Sequence, residues 1–281
     1  MRGRLHFWRR LLLPERRNLL TFPRARDILL NAMSVYSHRK TYELRYSDFD
    51  FKDELRFSSL LGVTQESACM SADELGFGYD DLRPQSLGFI IVNSYCKLNR
   101  PVRLGEAVTV ETWPLPPRHV FFERDYRISV GREEVASVAS RWCLVDLNNF
   151  SLLTPERMGE AHARCPYRAE KATEPPSWKI PRIRNAREMY RMTVANSHCD
   201  HYFHANNARY ADFFFDCFTM DELSGLEVSA FQIAYLKQAK EGTELLLVRE
   251  DTDDGALCEV RCGEETLSQF RVWFRKKGEQ A

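Results

Sequence analysis

The sequence predicts an α+β protein made of two successive copies of one unit, each an antiparallel sheet wrapped around a central α-helix. Two observations lead to this fold class. Features of the first half of the chain recur in the second half in the same order, and each half reads as a short strand, one helix and then four extended segments. A strand and a helix followed by a run of strands is typical of an α+β sheet rather than a parallel α/β sheet.

The internal repeat is seen at four places, and the offset between the copies falls from 150 residues to 131 along the chain. Each match is weak alone, but four in the same order indicate a duplication. Loops tolerate changes in length, so the falling offset predicts shorter connections in the second copy. The matched segments are 46–50 with 196–200, 73–76 with 221–224, 99–110 with 236–247, and 133–142 with 264–273.

The secondary-structure pattern is the same in both copies. The first copy is predicted to have a strand at 41–46, a helix at about 55–75, and strands at 88–98, 107–114, 120–130 and 133–146. The second copy is predicted to have a strand at 187–195, a helix at about 206–223, and strands at 228–238, 243–251, 256–262 and 265–275. The second helix is apolar nearly all round, which predicts that it is buried.

These patterns divide the chain into an N-terminal extension at 1–39, a first unit at 40–150, a linker at 151–185 and a second unit at 186–276. Residues 154–181 of the linker carry five of the chain's twelve prolines, and a short helix is predicted to start at Thr154-Pro155-Glu156.

The first 32 residues have eight arginines, no lysine and two acids. This composition fits either a transit-type segment or an upstream extension of a domain that opens near Met33. We favour the second interpretation and expect poor order in this segment.

Composition excludes several classes of function. Forty basic residues balance forty acidic ones, so no strong field for nucleic acid is expected, and no apolar run reaches the ~18 residues that span a bilayer. The eight cysteines form no CxxC pair, which predicts a reducing, cytoplasmic location and no structural metal. No dinucleotide-binding, HExxH or G-x-S-x-G motif occurs, so no cofactor is expected.

The segment DHYFHANNARY at 200–210 places an acid, a histidine and two asparagines directly before the apolar second helix. It has two interpretations. In the first, Asn206 and Asn207 serve only as helix caps, Asp200 is a turn residue and His204 is structural. Alternatively, these groups form an active site at the start of the helix, where unpaired backbone N–H groups are available.

This segment resembles the D-x-x-x-H-x-N-N-x-x-Y signature of hotdog thioesterases. Together with the tandem layout, the linker and the YLKQAKEG segment at 235–242, it makes residues 40–276 similar to the acyl-ACP thioesterases of bacteria and plastids (ACP, acyl carrier protein). The resemblance implies a tandem (double) hotdog fold and hydrolysis of fatty acyl thioesters, first of all acyl-ACP to free fatty acid and holo-ACP. Hydrolysis of acyl-CoA and a non-catalytic acyl-thioester binding or sensing module are the alternatives.

The resemblance implies that Asp200 acts as general base or nucleophile and that His204 orients or protonates the leaving thiolate. The candidate catalytic residues are Asp200, His204, Asn206, Asn207 and Gln238. The candidate substrate-binding residues are Tyr202, Tyr210 and Phe214.

Two positions depart from the family pattern. Tyr202 stands two places before the histidine, where the family usually has a small or amide residue. Gln238 stands where the family often has a carboxylate, and glutamine cannot accept a proton at neutral pH.

The first copy serves as an internal control for the motif. Its segment DFKDELRF at 50–57 keeps the acid, Asp50, but has Glu54 in place of the histidine and lacks both asparagines. The architecture therefore does not require these groups, and we expect one active unit and one structural unit that helps to form the acyl pocket.

Other groups near the motif are weaker candidates. His198 and His201 lack the acid or cysteine spacing of a metal site. For a Cys–His nucleophile, Cys199 has no evident orienting partner and Cys217 lies deep in the apolar helix.

The expected partner is acyl carrier protein, which is acidic and would need a basic docking surface. Five cations before and within the first strand of the second unit are candidates, with a solvated linker as the alternative: Lys179, Arg182, Arg184, Arg187 and Arg191. A monomer or a homodimer is expected, because two units in one chain can pair as single hotdogs do on dimerising.

Overall fold

The computed structural model of the chain describes residues 36–275. Within them the strands are β1 His38–Tyr42, β2 Leu87–Leu98, β3 Val108–Pro114, β4 Phe121–Val130, β5 Glu133–Asp146, β6 Leu152–Leu153, β7 Arg187–Thr193, β8 Val228–Tyr235, β9 Glu244–Thr252, β10 Gly255–Cys262 and β11 Glu265–Phe274. The α-helices are α1 Phe57–Glu74, α2 Tyr79–Leu82, α3 Glu160–Arg164, α4 Arg209–Phe215 and α5 Met220–Ser224. The predicted extension at 1–39 falls mainly outside the described residues.

One antiparallel sheet contains all eleven strands, in the order β1-β3-β4-β5-β2-β8-β11-β10-β9-β7, with β6 paired to β5. The second half of this order mirrors the first, and the two halves meet where β2 pairs with β8, from Asn93 opposite Ala234 to Lys97 opposite Ala230. The predicted α+β class and tandem hotdog arrangement are confirmed.

Each half of the sheet wraps around its own helix. Leu60, Leu61 and Ala68 of α1 are buried in the main core. In the second half, Phe214 of α4 stacks on Phe270 of β11 with ring centroids 4.8 Å apart. The two helices meet at the start of α1 and the end of α4.

The prediction of one continuous second helix at 206–223 is wrong. The structure has α4, then a turn, then α5, and Thr219 caps α5 in a reciprocal pair with Glu222: the Glu222 N–H donates to Thr219 Oγ1 (3.2 Å) and the Thr219 N–H donates to Glu222 Oε2 (2.7 Å). This capping box is a strong helix start, and it overrides the apolar periodicity that runs through it.

The repeat has a common backbone geometry. The tight turn that ends in Asp53 (φ +57°) is matched by the turn that ends in Phe203 (φ +64°), at an offset of 150. In the two hairpins, Glu133 pairs with Val130 and Glu265 pairs with Cys262, so these positions correspond at an offset of 132. The sequence match of 133–142 with 264–273 is therefore wrong by one residue.

The linker crosses the outer side of the sheet where the halves meet. The Trp178 carbonyl accepts hydrogen bonds from Asn93 Nδ2 (3.4 Å) on β2 and Gln232 Nε2 (3.1 Å) on β8. Farther out, Asp125 of β4 is buried and its Oδ2 accepts from the Ala172 N–H (2.6 Å). The linker thus fastens both halves.

Asp125 makes the stability of the fold depend on pH. Burial raises the pKa of Asp125 to about 7, above its value in an unfolded chain. The folded protein therefore holds this proton more tightly, and its contribution to stability, complete below about pH 4, is lost as pH rises towards 7. Between about pH 5 and about pH 8, a range set by this pKa, we expect the free energy of urea unfolding to change less with pH in Asp125→Asn than in the wild type. An unchanged pH profile in the variant would contradict this assignment.

Candidate active site

The polar motif forms a tight turn and then the start of α4. Asp200 begins the turn: its backbone N–H donates to the His204 carbonyl (3.0 Å), and its Oδ1 accepts from the Tyr202 N–H (2.9 Å). The turn is held against the loop after β8, where the Ala205 N–H donates to the Ala239 carbonyl (2.8 Å).

The equivalent turn of the first unit shows which part of this geometry is architectural. Asp50 Oδ1 accepts from the N–H groups of Lys52 (2.8 Å) and Glu54 (3.1 Å). An aspartate therefore stabilises the turn in both copies. What differs is the second carboxylate oxygen of Asp200, which accepts from Asn206 Nδ2 (3.3 Å), whereas Arg56 occupies the position of Asn206 in the first unit.

The two asparagines have separate tasks. Asn206 closes the turn that leads into α4, because its Oδ1 accepts from the Ala208 N–H (2.9 Å). The Asn207 carbonyl accepts from Tyr235 Oη (3.1 Å), which fixes its peptide. Among the residues that the structure describes, the backbone N–H and side-chain amide of Asn207 have no hydrogen-bond partner. Asn207 thus presents free donors.

His204 is half-buried, and its Nδ1 is buried without a hydrogen-bond partner among residues 36–275. Its backbone bridges to Lys240 in the loop that carries Gln238. No hydrogen bond joins the side chains of His204 and Asp200 in the described part of the chain. The histidine is therefore placed beside the acid without forming a dyad with it.

Gln238 and Tyr202 border the turn on its exposed side. Gln238 is exposed in the loop after β8, one residue before the Ala239 carbonyl that holds Ala205. Tyr202 is 49% exposed, and its ring contacts His201 (centroids 4.1 Å apart) and Tyr79 of α2 (5.8 Å).

The other two predicted substrate-binding residues lie inward. Tyr210 is buried against Tyr235 with ring centroids 5.7 Å apart, and burial raises the pKa of Tyr210 to about 12, so it keeps its proton. Phe214 is 0% exposed in its stack on Phe270 and does not line the cleft described next. Its contact with substrate stays a prediction.

A cleft with about 290 Å³ of empty space, part of it open to solvent, runs from the start of α4 towards the first unit. At one end are Asn207 and Ala208, which belong to the motif. The rest of the lining comes from α1, β2, β4, β5 and β8: Leu61, Thr64, Gln65, Ile91, Ser94, Tyr126, Ser140, Trp142 and Tyr235. The sequence did not single out these first-unit residues, because single polar residues in strands give no pattern.

Two of the weaker candidates, His198 and Cys217, have structural roles. His198 Nδ1 accepts from the Ala195 N–H (3.0 Å) and so closes the turn before the motif. Cys217 is buried at the end of α4, where its thiol contacts the Phe213 carbonyl (3.7 Å). Residues 36–275 contain no group of three or more acidic, histidine or cysteine side chains that could hold a metal ion.

Residues 35–154 match the family model of the acyl-ACP thioesterase N-terminal domain. The resemblance to acyl-ACP thioesterases is confirmed. This match supports hydrolysis of acyl thioesters as the class of reaction. No curated protein matches the chain significantly.

Two solved structures share the fold over most of the chain. The acyl-ACP thioesterase from Bacteroides thetaiotaomicron is 20% identical, covers 85% of this chain and 98% of its own, and superposes with a TM-score of 0.78. The 12:0-ACP thioesterase from Umbellularia californica is 17% identical, covers 86% of this chain and 98% of its own, with a TM-score of 0.76. At these identities the likeness establishes the double hotdog fold.

Proposed function

We propose that the chain hydrolyses fatty acyl thioesters, with acyl-ACP as the substrate, at the start of α4. The observation that carries this proposal is Asn207, which lines the cleft, follows Asp200 and His204 at the start of α4, and has a backbone N–H without a hydrogen-bond partner among the described residues. Thioester hydrolysis needs such a donor, because negative charge develops on the carbonyl oxygen as the nucleophile adds.

The proposed reaction assigns one task to each group. Asp200, oriented by Asn206, takes a proton from the water that attacks the thioester carbon. The Asn207 N–H binds the resulting oxyanion. When the C–S bond breaks, His204 donates a proton to the departing thiolate. Gln238 positions the water, since it can donate and accept hydrogen bonds without titrating.

The remaining features of the proposal concern the setting of the site. The first hotdog unit at 40–150 supplies much of the cleft, the second unit at 186–276 carries the catalytic groups, and the linker at 151–185 joins them. The acidic carrier docks on the exposed cations of the linker and β7. The protein acts in the cytoplasm, where thiols stay reduced, and its eight cysteines are unpaired. Pairing of β2 with β8 within one chain permits a monomer or a homodimer. None of the helices between residues 36 and 275 is long and apolar enough to span a bilayer.

Thiol release from panels of acyl-ACP and acyl-CoA tests this proposal. We expect release from acyl-ACP with a kcat/KM at least about tenfold above that for the same acyl group on CoA. Release from neither carrier rejects the enzymatic function, and preference for CoA rejects the assignment of the carrier.

A non-catalytic acyl-thioester binding module is the second candidate, and the missing Asp200–His204 contact together with Tyr202 and Gln238 favours it. If these positions limit turnover, the double substitution Tyr202→Asn and Gln238→Glu should raise kcat by roughly tenfold, because it adds an amide and a second carboxylate at the site. Pre-steady-state thiol release measures the change. Tight acyl binding without release by both proteins would support the binding module.

A further inference from the structure

Arg124 is a buried cation that has no counter-ion among residues 36–275. It points inward from β4 and is 7% exposed. Its Nη1 donates to Ser71 Oγ (2.9 Å) and Thr112 Oγ1 (3.3 Å), and no carboxylate of the described residues lies within ion-pair distance. An isolated buried charge is costly, so such groups are normally paired. Arg249 shows the usual solution: it is 6% exposed and forms ion pairs with Glu222 and Asp251.

The hydroxyls around Arg124 do not replace an anion. Thr112 Oγ1 also donates to the Asp125 carbonyl (2.9 Å), and Ser71 Oγ is shared with Tyr36 Oη (2.9 Å). Both hydroxyls have these other partners. The Nε and Nη2 donors of Arg124 find no acceptor among residues 36–275. The guanidinium therefore has donors available for an additional anionic acceptor.

Arg124 does not line the cleft itself but is next to residues that do. Tyr126, which lines the cleft, is two residues along β4 and so faces the same side of the sheet. Ser140, also in the lining, stands opposite Arg124 in the β4–β5 register. On α1, Thr64 lines the cleft and Ser71 is about two turns farther on, roughly 10 Å along the helix. A chain entering at Asn207 and following the cleft would therefore approach Arg124.

The second unit shows that the fold does not require these polar groups. At the offset of 132 set by the hairpins, Ala256 stands where Arg124 stands, Cys258 where Tyr126 stands, and Val272 where Ser140 stands. All three are buried at their positions. The polar groups are thus specific to the half of the sheet that faces the cleft.

We propose that Arg124 binds an anionic group, such as a carboxylate, at the far end of the acyl chain, so that the substrate class is carboxyacyl rather than methyl-terminated acyl thioesters. This inference rests on the proposed function, because it assumes that the acyl chain enters the cleft from Asn207. Hydrolysis adds water across the C–S bond and releases a thiol and a dicarboxylic acid, and Arg124 acts only in binding.

Binding of free acids tests the anion site independently of catalysis. Calorimetry with monocarboxylates and dicarboxylates of equal chain length should show tighter binding of the dicarboxylate by about tenfold or more, since a hydrogen bond to a charged group is strong. Arg124→Met should abolish this preference. Equal affinities in the wild type, or a preference that survives in Arg124→Met, would overturn the inference.

Hydrolysis of matched thioesters tests the same site in turnover. The wild type should cleave the carboxyl-terminated acyl-ACP with a kcat/KM about tenfold above the methyl-terminated one, and Arg124→Met should equalise them. Should no thioester be cleaved while dicarboxylate binding still requires Arg124, the proposed function fails and the anion site stands. Should methyl-terminated substrates be cleaved with equal or higher kcat/KM, the proposed function stands and this inference fails.

Two controls separate binding from folding. Arg124→Met should not lower Tm, because it removes an uncompensated buried charge. Arg124→Gln keeps a donor for Ser71 and removes only the charge, so it should also lose the preference for dicarboxylates. If Arg124→Met does not fold, this second variant decides the outcome.

Discussion

Replacing Asp200 by asparagine is expected to lower kcat for acyl-ACP hydrolysis by about 10²–10⁴-fold, the range for loss of a general base. The amide keeps an oxygen that can accept from the Tyr202 N–H, so the turn should remain folded. What is lost is the ability to take a proton from water. Thiol release measured alongside thermal unfolding distinguishes the loss of chemistry from loss of structure.

Asp50→Asn is the matched control for this variant. Asp50 holds the equivalent turn by the same type of hydrogen bond, from Lys52 N–H to Oδ1 (2.8 Å), but Arg56 and Glu54 stand where the second unit has Asn206 and His204. We expect turnover within about twofold of the wild type in Asp50→Asn. Similar losses in both variants would mean that the aspartates act on folding alone.

Replacing Arg249 by methionine is expected to cost about 2–3 kcal/mol of stability and to lower Tm by roughly 5–10 °C. Arg249 connects β9 to the break between the two short helices of the second unit: Nη1 donates to the Cys217 carbonyl (2.9 Å) and Nη2 to Glu222 on α5 (2.9 Å). Its guanidinium also lies 4.0 Å from the centre of the Phe218 ring. Methionine keeps apolar bulk and loses all three contacts.

The pH dependence of stability gives a second measure of the same contact. The hydrogen bond from Arg249 lowers the pKa of Glu222 to about 2. A lowered folded pKa contributes stability that is present above the unfolded value of about 4.5 and is lost as pH falls towards 2. The free energy of urea unfolding should therefore fall less between about pH 6 and about pH 3 in Arg249→Met than in the wild type. Equal losses in both proteins would contradict a contribution of the Arg249–Glu222 contact to the pH dependence of stability.

The strands could be predicted from the sequence because each half of the sheet covers its own helix. Eight of the ten predicted strands have both ends within two residues of the structure, for example 133–146 for Glu133–Asp146. The turn that carries Asp200 could also be predicted, since the duplication aligns Asp50 with Asp200. Repetition of an entire unit is a stronger signal than the propensity of any one segment.

The features that the sequence did not predict depend on tertiary contacts. The break between α4 and α5 is set by the Thr219 capping box and by Arg249, a residue distant in sequence. The polar lining of the cleft comes from residues on different strands and on α1, and Arg124 reads as an ordinary strand residue. That Arg124 has no counter-ion among residues 36–275 is visible only once the neighbouring side chains are placed.

The central claim, that the second hotdog unit hydrolyses acyl thioesters, is tested most directly by measuring thiol and free acid together on acyl-ACP. We expect equal amounts of thiol and free acid from the wild type and from Asp50→Asn, and at least about 10²-fold less of both from Asp200→Asn at the same time point. No thiol from the folded wild-type protein, or full activity in folded Asp200→Asn, would contradict it.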